Sequence, residues 1–206
     1  MEIWITEERK EAIAIRYMIH CKNQKSRKFL SVCRKYVCSD ILQDAFELTY
    51  DRMRRYEGRW HLERQLCFPD YVFLESQDGE KLARELARIP EIRELVTNRI
   101  FLIPLAPEEE AFLWDLCGTS HHLGMSRGYI QEGRTYVTEG PLRGKEQLIR
   151  RIDRHKRIAQ VEMPRACEDT EYLIAAKRSY GEGGQGVKAA EGFRGLQIGL
   201  EIVAKI

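Results

Sequence analysis

The hydrophobic pattern of this chain changes at residues 118–128, GTSHHLGMSRG, and the change limits what each side can fold into. Before this segment, strand-like runs alternate with segments whose apolar residues recur at helical spacing. After it, short strand-like runs are separated by turns at GPLRG and DRHK. Three glycines in a small polar stretch are typical of a domain boundary. The sequence therefore predicts an α+β protein, a mixed α/β domain followed by a small β-barrel.

The first part of the chain predicts an antiparallel sheet flanked by helices. Its predicted elements are a strand at 14–21, a helix carrying Phe29, Leu30, Cys33 and Val37, two strands joined at Glu57-Gly58, a strand ending LCFPDYVFLES, a helix between Gly79 and Pro90, a short strand around Arg93–Val96, and a helix from Pro107 to about Cys117. In the run FPDYVF, Tyr71 and Phe73 are expected on one face of the strand and Val72 and Leu74 on the other.

The second part predicts four strands, RTYVTEG, KEQLIRRID, RIAQVEMP and LQIGLEIVAKI, with a long interruption. Residues 166–195 hold six of the fifteen glycines and indicate a loop, with one weak helix in TEYLIAAKRSY. The run GEGGQG at 181–186 matches G-x-G-x-x-G but lacks the strand and helix of a nucleotide site, so it favours a flexible loop. The expected divisions are an extension at 1–12, the first domain at 13–118, a linker at 119–128 and the second domain at 129–206.

Charge is distributed unevenly along the chain. Residues 134–165 carry nine Lys and Arg against four Asp and Glu, whereas residues 1–118 carry 19 against 21. A locally basic second domain indicates an anionic partner, with a solvated surface as the alternative. No apolar run has the length of a membrane span or signal peptide, so a cytoplasmic protein is expected. The six scattered cysteines are expected to be buried or half-buried thiols rather than disulfides or zinc ligands.

These motifs, in this order, resemble the NusG/RfaH family of transcription elongation factors. FPDYVF resembles the family's FPGYVF strand, AIRYMIHCKN its first strand, and IPLAPEEE the start of the last helix of its NGN domain. TEGPLRGKEQLIRRIDRHKRIAQVEM with GLEIVAKI resembles the KOW domain, an SH3-like β-barrel. IDRHKR after GPLRG looks most like the LoaP branch, which are antiterminators for long biosynthetic operons. The resemblance covers about residues 13–165 and 196–206.

An exposed aromatic patch marks a protein partner, and the resemblance implies that this partner is the clamp helices of the largest RNA polymerase subunit. The polymerase-binding candidates are His20, Phe68, Pro69, Tyr71 and Phe73. Basic residues after the first strand suit the phosphates of upstream or non-template DNA, and the candidates are Lys22, Lys25 and Arg27. A nascent RNA hairpin is the expected partner of the second domain, with candidates Arg143, Lys145, Arg150, Arg151, Arg154, His155, Lys156 and Arg157.

The sequence favours a monomeric factor that catalyses nothing and needs no cofactor or metal. Asp153 is expected to be a turn residue, and the adjacent His121 and His122 are a weak metal signal. Three alternatives stay open: a general NusG factor whose KOW domain binds Rho or NusE, a ribosome- or rRNA-binding KOW protein, and, remotely, a nucleotide-using enzyme. Two substitutions depart from the family pattern, Asp70 and Gln147 standing for glycine, and neither position is expected to require a positive φ.

Overall fold

The structure is a computed structural model that describes residues 15–96, 100–164 and 195–206. The predicted extension at 1–12 and the Gly-rich segment up to residue 194, with its GEGGQG run and weak helix, lie outside the described residues. The elements in chain order are β1 Ile15–His20, α1 Ser26–Tyr36, β2 Asp44–Phe46, β3 Thr49–Tyr56, β4 Arg59–Leu66, β5 Tyr71–Ser76, α2 Gly79–Arg88, α3 Pro90–Leu95, β6 Ile103–Pro104, α4 Pro107–Cys117, β7 His122–Leu123, β8 Ser126–Gln131, β9 Arg134–Glu139, β10 Ile149–Asp153, β11 Ile158–Glu162 and β12 Gly195–Lys205.

The first sheet has the strand order β2-β5-β1-β6, and its neighbours are antiparallel. Along β5, Val72 and Leu74 join an apolar cluster with α1, α2 and α3, while Phe73 joins a second cluster on the opposite face. This alternation follows from the two-residue period of a strand, and it confirms the two-faced arrangement predicted for FPDYVF. Three helices therefore cover one face, and α4 packs on the other.

The short strand predicted around Arg93–Val96 is wrong, because Pro90–Leu95 forms helix α3. Proline has no amide hydrogen to lose at the first helical position, so Pro90 both ends α2 and begins α3. Ile92 and Leu95 then lie one turn apart and are fully buried. Val96, which follows α3, forms an isolated antiparallel β-bridge with Cys21.

Strands β3 and β4 form a long hairpin, paired from Thr49↔Leu66 to Tyr56↔Arg59. Its two-residue turn is the predicted Glu57-Gly58, and both residues have positive φ, 50° and 75°. That geometry belongs to the turns whose twist matches a hairpin. Strand β7 pairs in parallel with β3, which completes a three-stranded sheet of order β4-β3-β7.

The segment predicted as a linker, 119–128, contains regular structure. A 3-10 turn at Gly118–Ser120 follows α4, β7 comes next, and β8 already begins at Ser126. The side chains of Thr49 and Asp51 hold His122, at 2.9 Å from Thr49 Oγ1 to Nδ1 and 3.2 Å from Asp51 Oδ1 to Nε2. The polar composition that indicated a loop therefore reflects side chains that fasten this segment to β3.

The C-terminal sheet, formed by β8 to β12, has the strand order β10-β11-β12-β8-β9. Strand β12 pairs with β11 through its first residues and with β8 through its last, so one strand joins both halves of the sheet. The predicted strand KEQLIRRID is shorter than expected, because Glu146–Leu148 forms a 3-10 turn before β10. The chain is thus an α+β protein with a mixed first half and a β-rich second half.

The two halves of the molecule pack directly on each other. One apolar cluster includes Phe73 and Leu113 from the first half and Ile198 and Leu200 from the second. At Gly199 the contact is so close that an added Cβ would lie 2.3 Å from the carbonyl oxygen of Asp51. Only a glycine lets β12 approach the hairpin this closely.

Burial separates most of the described cysteines from solvent. Cys21, Cys33 and Cys117 are buried and Cys67 is half-buried, as predicted, whereas Cys38 is exposed. Burial raises the pKa of the Cys33 thiol to about 12, which leaves it protonated and unreactive at neutral pH.

Candidate functional site

The turn before β5 places the predicted polymerase-binding residues at the end of the first sheet. The amide of Cys21 donates to the Asp70 carbonyl at 2.7 Å, and the amide of Gln24 donates to the Asp70 side chain. Asp70 has φ 69°, so the expectation that this position needs no positive φ is wrong. Aspartate tolerates the left-handed region better than most residues, since its short side chain bonds locally.

Two of the five polymerase-binding candidates lie inside the protein. Phe73 is 0 % exposed and Phe68 is 8 % exposed. Phe73 stacks on Phe46 with ring centroids 5.5 Å apart, and Phe68 lies 5.8 Å from Phe73. His121 also stacks on Phe46, with ring centroids 3.5 Å apart. The rings predicted as a surface patch at Phe68 and Phe73 are therefore core residues here. Phe73 lies on the face of β5 that packs with α4 and β7, and Phe68, which precedes β5, packs on Phe73.

The other three candidates form a small uncharged surface where β1 ends and β5 begins. His20 and Tyr71 face each other in register on neighbouring strands, with their rings 4.9 Å apart. Pro69 is exposed beside them, and both rings are half-buried. Burial lowers the pKa of His20, with Asp70 opposing the shift, so the imidazole is neutral at pH 7. We call His20, Pro69 and Tyr71 the ring edge.

The basic residues predicted to contact DNA lie next to the ring edge. Lys25 and Arg27 are exposed at the start of α1, and Lys22 is half-buried where the chain leaves β1. The free backbone amides at the N-terminus of α1 add to this positive charge, because the first turn contains no acidic residue that would offset them. The turn contacts of Asp70 hold this basic segment against the ring edge.

The eight predicted RNA-binding residues divide into paired and unpaired groups. Four are in ion pairs: Lys145 with Asp115, Arg150 with Glu162, Lys156 with Asp153, and Arg157 with Glu201. Arg143, Arg151 and Arg154 are exposed and have no ion pair within the part of the chain that the structure describes. His155 is exposed on the β10–β11 turn beside Arg154. The predicted residues thus form a basic surface, but ion pairs already neutralise the charge of four of the eight.

The β10–β11 turn is held by Asp153, as predicted for a turn residue. Its carboxylate accepts a hydrogen bond from the backbone amide of Lys156 at 2.9 Å, and this bond lowers the pKa of Asp153. Arg157 closes the turn with φ 52°. Its guanidinium then lies over the ring of Trp60 at 3.8 Å and within 2.6 Å of Glu201, so Arg157 fastens the turn to the β3–β4 hairpin.

Comparison with known proteins adds no relative. No protein-family model matches the chain, and no curated protein matches it significantly. Among the described residues, no group of three or more His, Cys, Asp or Glu side chains is placed to hold a metal ion. None of the described helices is long and apolar enough to cross a membrane.

Sequence reasoning missed the residues that the hairpin brings to the C-terminal sheet. Arg52, Gln160 and Gln197 line one cavity, although more than a hundred positions separate the first from the other two. Tyr50 reaches the same place, since its hydroxyl donates to Gln197 Oε1 at 3.1 Å. No spacing or motif could have associated these residues, because their proximity depends on how the two halves of the molecule pack.

Proposed function

We propose that this chain is a NusG-like transcription elongation and antitermination factor. Its first half would be an NGN domain that binds the clamp helices of RNA polymerase through the ring edge. Its second half would be a KOW domain that binds nascent RNA. Binding the elongating state more tightly than the paused state would shift the population toward elongation, which is how such a factor promotes read-through.

The observation that carries this proposal is the separation of two chemically different surfaces. The ring edge is uncharged, since Tyr71 and neutral His20 meet beside Pro69. Arg151 lies on β10 and Arg154 on the β10–β11 turn, and neither has an ion pair among the described residues. Aromatic rings suit a protein partner, and exposed guanidinium groups suit phosphates. A factor that joins polymerase to RNA needs both surfaces on one molecule.

The C-terminal sheet also supports a second candidate, a general NusG factor whose KOW domain binds Rho or NusE. Tyr136 is exposed and stacks on Tyr129 with ring centroids 5.2 Å apart. Strand pairing aligns Ala204 with the same two tyrosines, which makes a row of apolar side chains across three strands. Such a row suits a protein partner. Tyr136→Ala should leave RNA binding unchanged and would weaken Rho or NusE binding only if this second candidate is right.

Polymerase binding tests the first half of the proposal directly. Purified full-length protein is mixed with bacterial RNA polymerase core enzyme, and the dissociation constant is measured for wild type and Tyr71→Ala. We expect Tyr71→Ala to weaken binding about thirtyfold, because truncating a central interface aromatic costs about 2 kcal/mol. Tyr56→Ala is the matched control, since it removes the same ring from an exposed position at the far end of the hairpin.

Equal affinity of the Tyr71→Ala and Tyr56→Ala variants for polymerase would remove the ring edge from the proposal. Thermal melting of both variants would show that they are folded. Phe73→Ala cannot replace Tyr71→Ala here, because deleting a fully buried phenylalanine costs about 3–5 kcal/mol of stability. Loss of binding in that variant would report unfolding instead of a missing contact.

A further inference from the structure

A cavity of about 270 Å³ lies where the β3–β4 hairpin meets the C-terminal sheet. The hairpin contributes Arg52, and strands β10, β11 and β12 contribute the opposite wall. The polar groups around it are Arg52, Arg151, Asp153, Lys156, Gln160 and Gln197. We call this cavity the hairpin cleft. It is slightly smaller than most small-molecule sites, which span about 300–1,000 Å³, so its volume suits a single nucleotide unit.

The wall of the hairpin cleft is a row of polar side chains fixed by strand register. Arg151 on β10 pairs with Gln160 on β11, and Gln160 pairs with Gln197 on β12. The hydroxyl of Tyr50 donates to Gln197 Oε1 at 3.1 Å and so orients its amide. Each glutamine amide offers both donors and an acceptor, which is the set of groups that a nucleobase edge pairs with.

Charge in the hairpin cleft favours an anion. Among the described residues that line the cleft, three cations face one carboxylate, and Asp153 is already engaged by Lys156 through its backbone amide at 2.9 Å and its ammonium at 3.7 Å. Within the same described set, Arg52 and Arg151 have no ion-pair partner. A phosphate group can accept charge-assisted hydrogen bonds from both guanidinium groups.

The cleft continues into neighbouring depressions on the same sheet. One shares Gln160 and Gln197 with it and adds the ion pair of Arg150 with Glu162. Another shares Arg151 and adds Arg134 and Glu146, so the described cations still outnumber the carboxylates along the three depressions. A positively charged track that follows a strand suits a flexible, extended polyanion better than an isolated phosphate. Single-stranded RNA exposes its base edges to such a track, whereas a double helix conceals them.

We propose that the hairpin cleft holds one nucleotide of a single-stranded RNA segment. Its phosphate would lie between Arg52 and Arg151, and its base edge would meet the amides of Gln160 and Gln197. This inference rests on the proposed RNA-binding role and deepens it, since it adds the first half of the molecule to the RNA site. RNA bound here would join both halves and hold the hairpin against the C-terminal sheet.

The test measures the affinity of the full-length protein for a fluorescein-labelled single-stranded RNA of about 12 nucleotides by fluorescence anisotropy. Each phosphate contact to a single strand contributes about 0.7 to the slope of log affinity against log salt. Arg52→Gln should therefore weaken binding about fivefold at about 0.1 M salt and lower that slope by about 0.7. Arg55→Gln is the matched control, because it removes the same charge from the same strand but does not line the cleft.

Several results would overturn the inference. If Arg52→Gln and Arg55→Gln bind RNA equally well while Arg154→Ala binds weakly, the C-terminal sheet binds RNA without the cleft, and only this inference fails. If the wild-type protein does not bind the labelled RNA, the proposed RNA role fails as well. Equal displacement of the RNA by inorganic phosphate at the same phosphate concentration would overturn the nucleotide assignment. Arg151→Gln, on an exposed strand position, repeats the test if Arg52→Gln melts early.

Discussion

Contact between Arg157 and Trp60 is the most measurable link between the two halves of the molecule. The guanidinium carbon lies 3.8 Å from the ring centroid, and the same side chain is 21 % exposed. A cation over an aromatic face contributes about 0.5–1 kcal/mol when exposed and about 2 kcal/mol when desolvated. The partial burial of Arg157 places this contact between the two limits, so we expect a coupling free energy of about 1 kcal/mol.

A double-mutant cycle isolates that coupling. Arg157→Met keeps the aliphatic stem but removes the charge, and Trp60→Leu removes the ring. The free energy of unfolding is measured by urea titration for wild type, both single variants and the double variant. Arg157→Met also loses the ion pair to Glu201, but the cycle subtracts that loss, since it occurs with and without the ring. A coupling within about 0.3 kcal/mol of zero would refute the packing of the hairpin on the C-terminal sheet.

Three further changes test single features of the structure. Asp70→Gly should be nearly neutral, because relief of the left-handed φ offsets the lost side-chain bond, whereas Asp70→Ala should cost about 1–2 kcal/mol in urea unfolding. Gly199→Ala should lower the free energy of unfolding by about 1–3 kcal/mol, since its Cβ would press on the backbone of Asp51. An unchanged urea midpoint would mean that β12 and β3 do not pack this closely. Burial lowers the pKa of His121 below its ordinary 6.5, so the unfolded chain binds a proton more readily than the folded protein. The free energy of unfolding should therefore fall as pH drops through about 6.5. In His121→Gln this fall should be shallower.

Elements with a strong local pattern were predictable from the sequence. The alternation in FPDYVF established which residues of β5 face the helices, and Glu57-Gly58 identified the hairpin turn. The strand predicted after Pro90 was wrong, because this proline ends α2 and also begins α3. Short-range chemistry therefore predicted most of the elements, but it missed β7 and the start of β8 in the polar segment 119–128, where contacts with β3 decide the structure.

Burial and proximity were less accessible to sequence reasoning than the elements. Phe68 and Tyr71 belong to the same motif and pack on the same apolar cluster, yet Phe68 is buried and Tyr71 is only half-buried. Ion pairing likewise depended on the fold, since Lys145 pairs with Asp115 of α4, 30 positions earlier in the chain. The hairpin cleft shows the same limit, as Arg52 joins its partners only through packing of the two halves.

Crosslinking from the ring edge can show whether this surface contacts RNA polymerase. A photoreactive benzoyl-phenylalanine replaces Tyr71, and the full-length protein is irradiated with a stalled bacterial elongation complex. We expect an adduct with the largest polymerase subunit, and a much weaker adduct when the same group replaces Tyr56 at the hairpin tip. No adduct from position 71, or equal adducts from both positions, would contradict the assignment of the ring edge as the polymerase-binding surface.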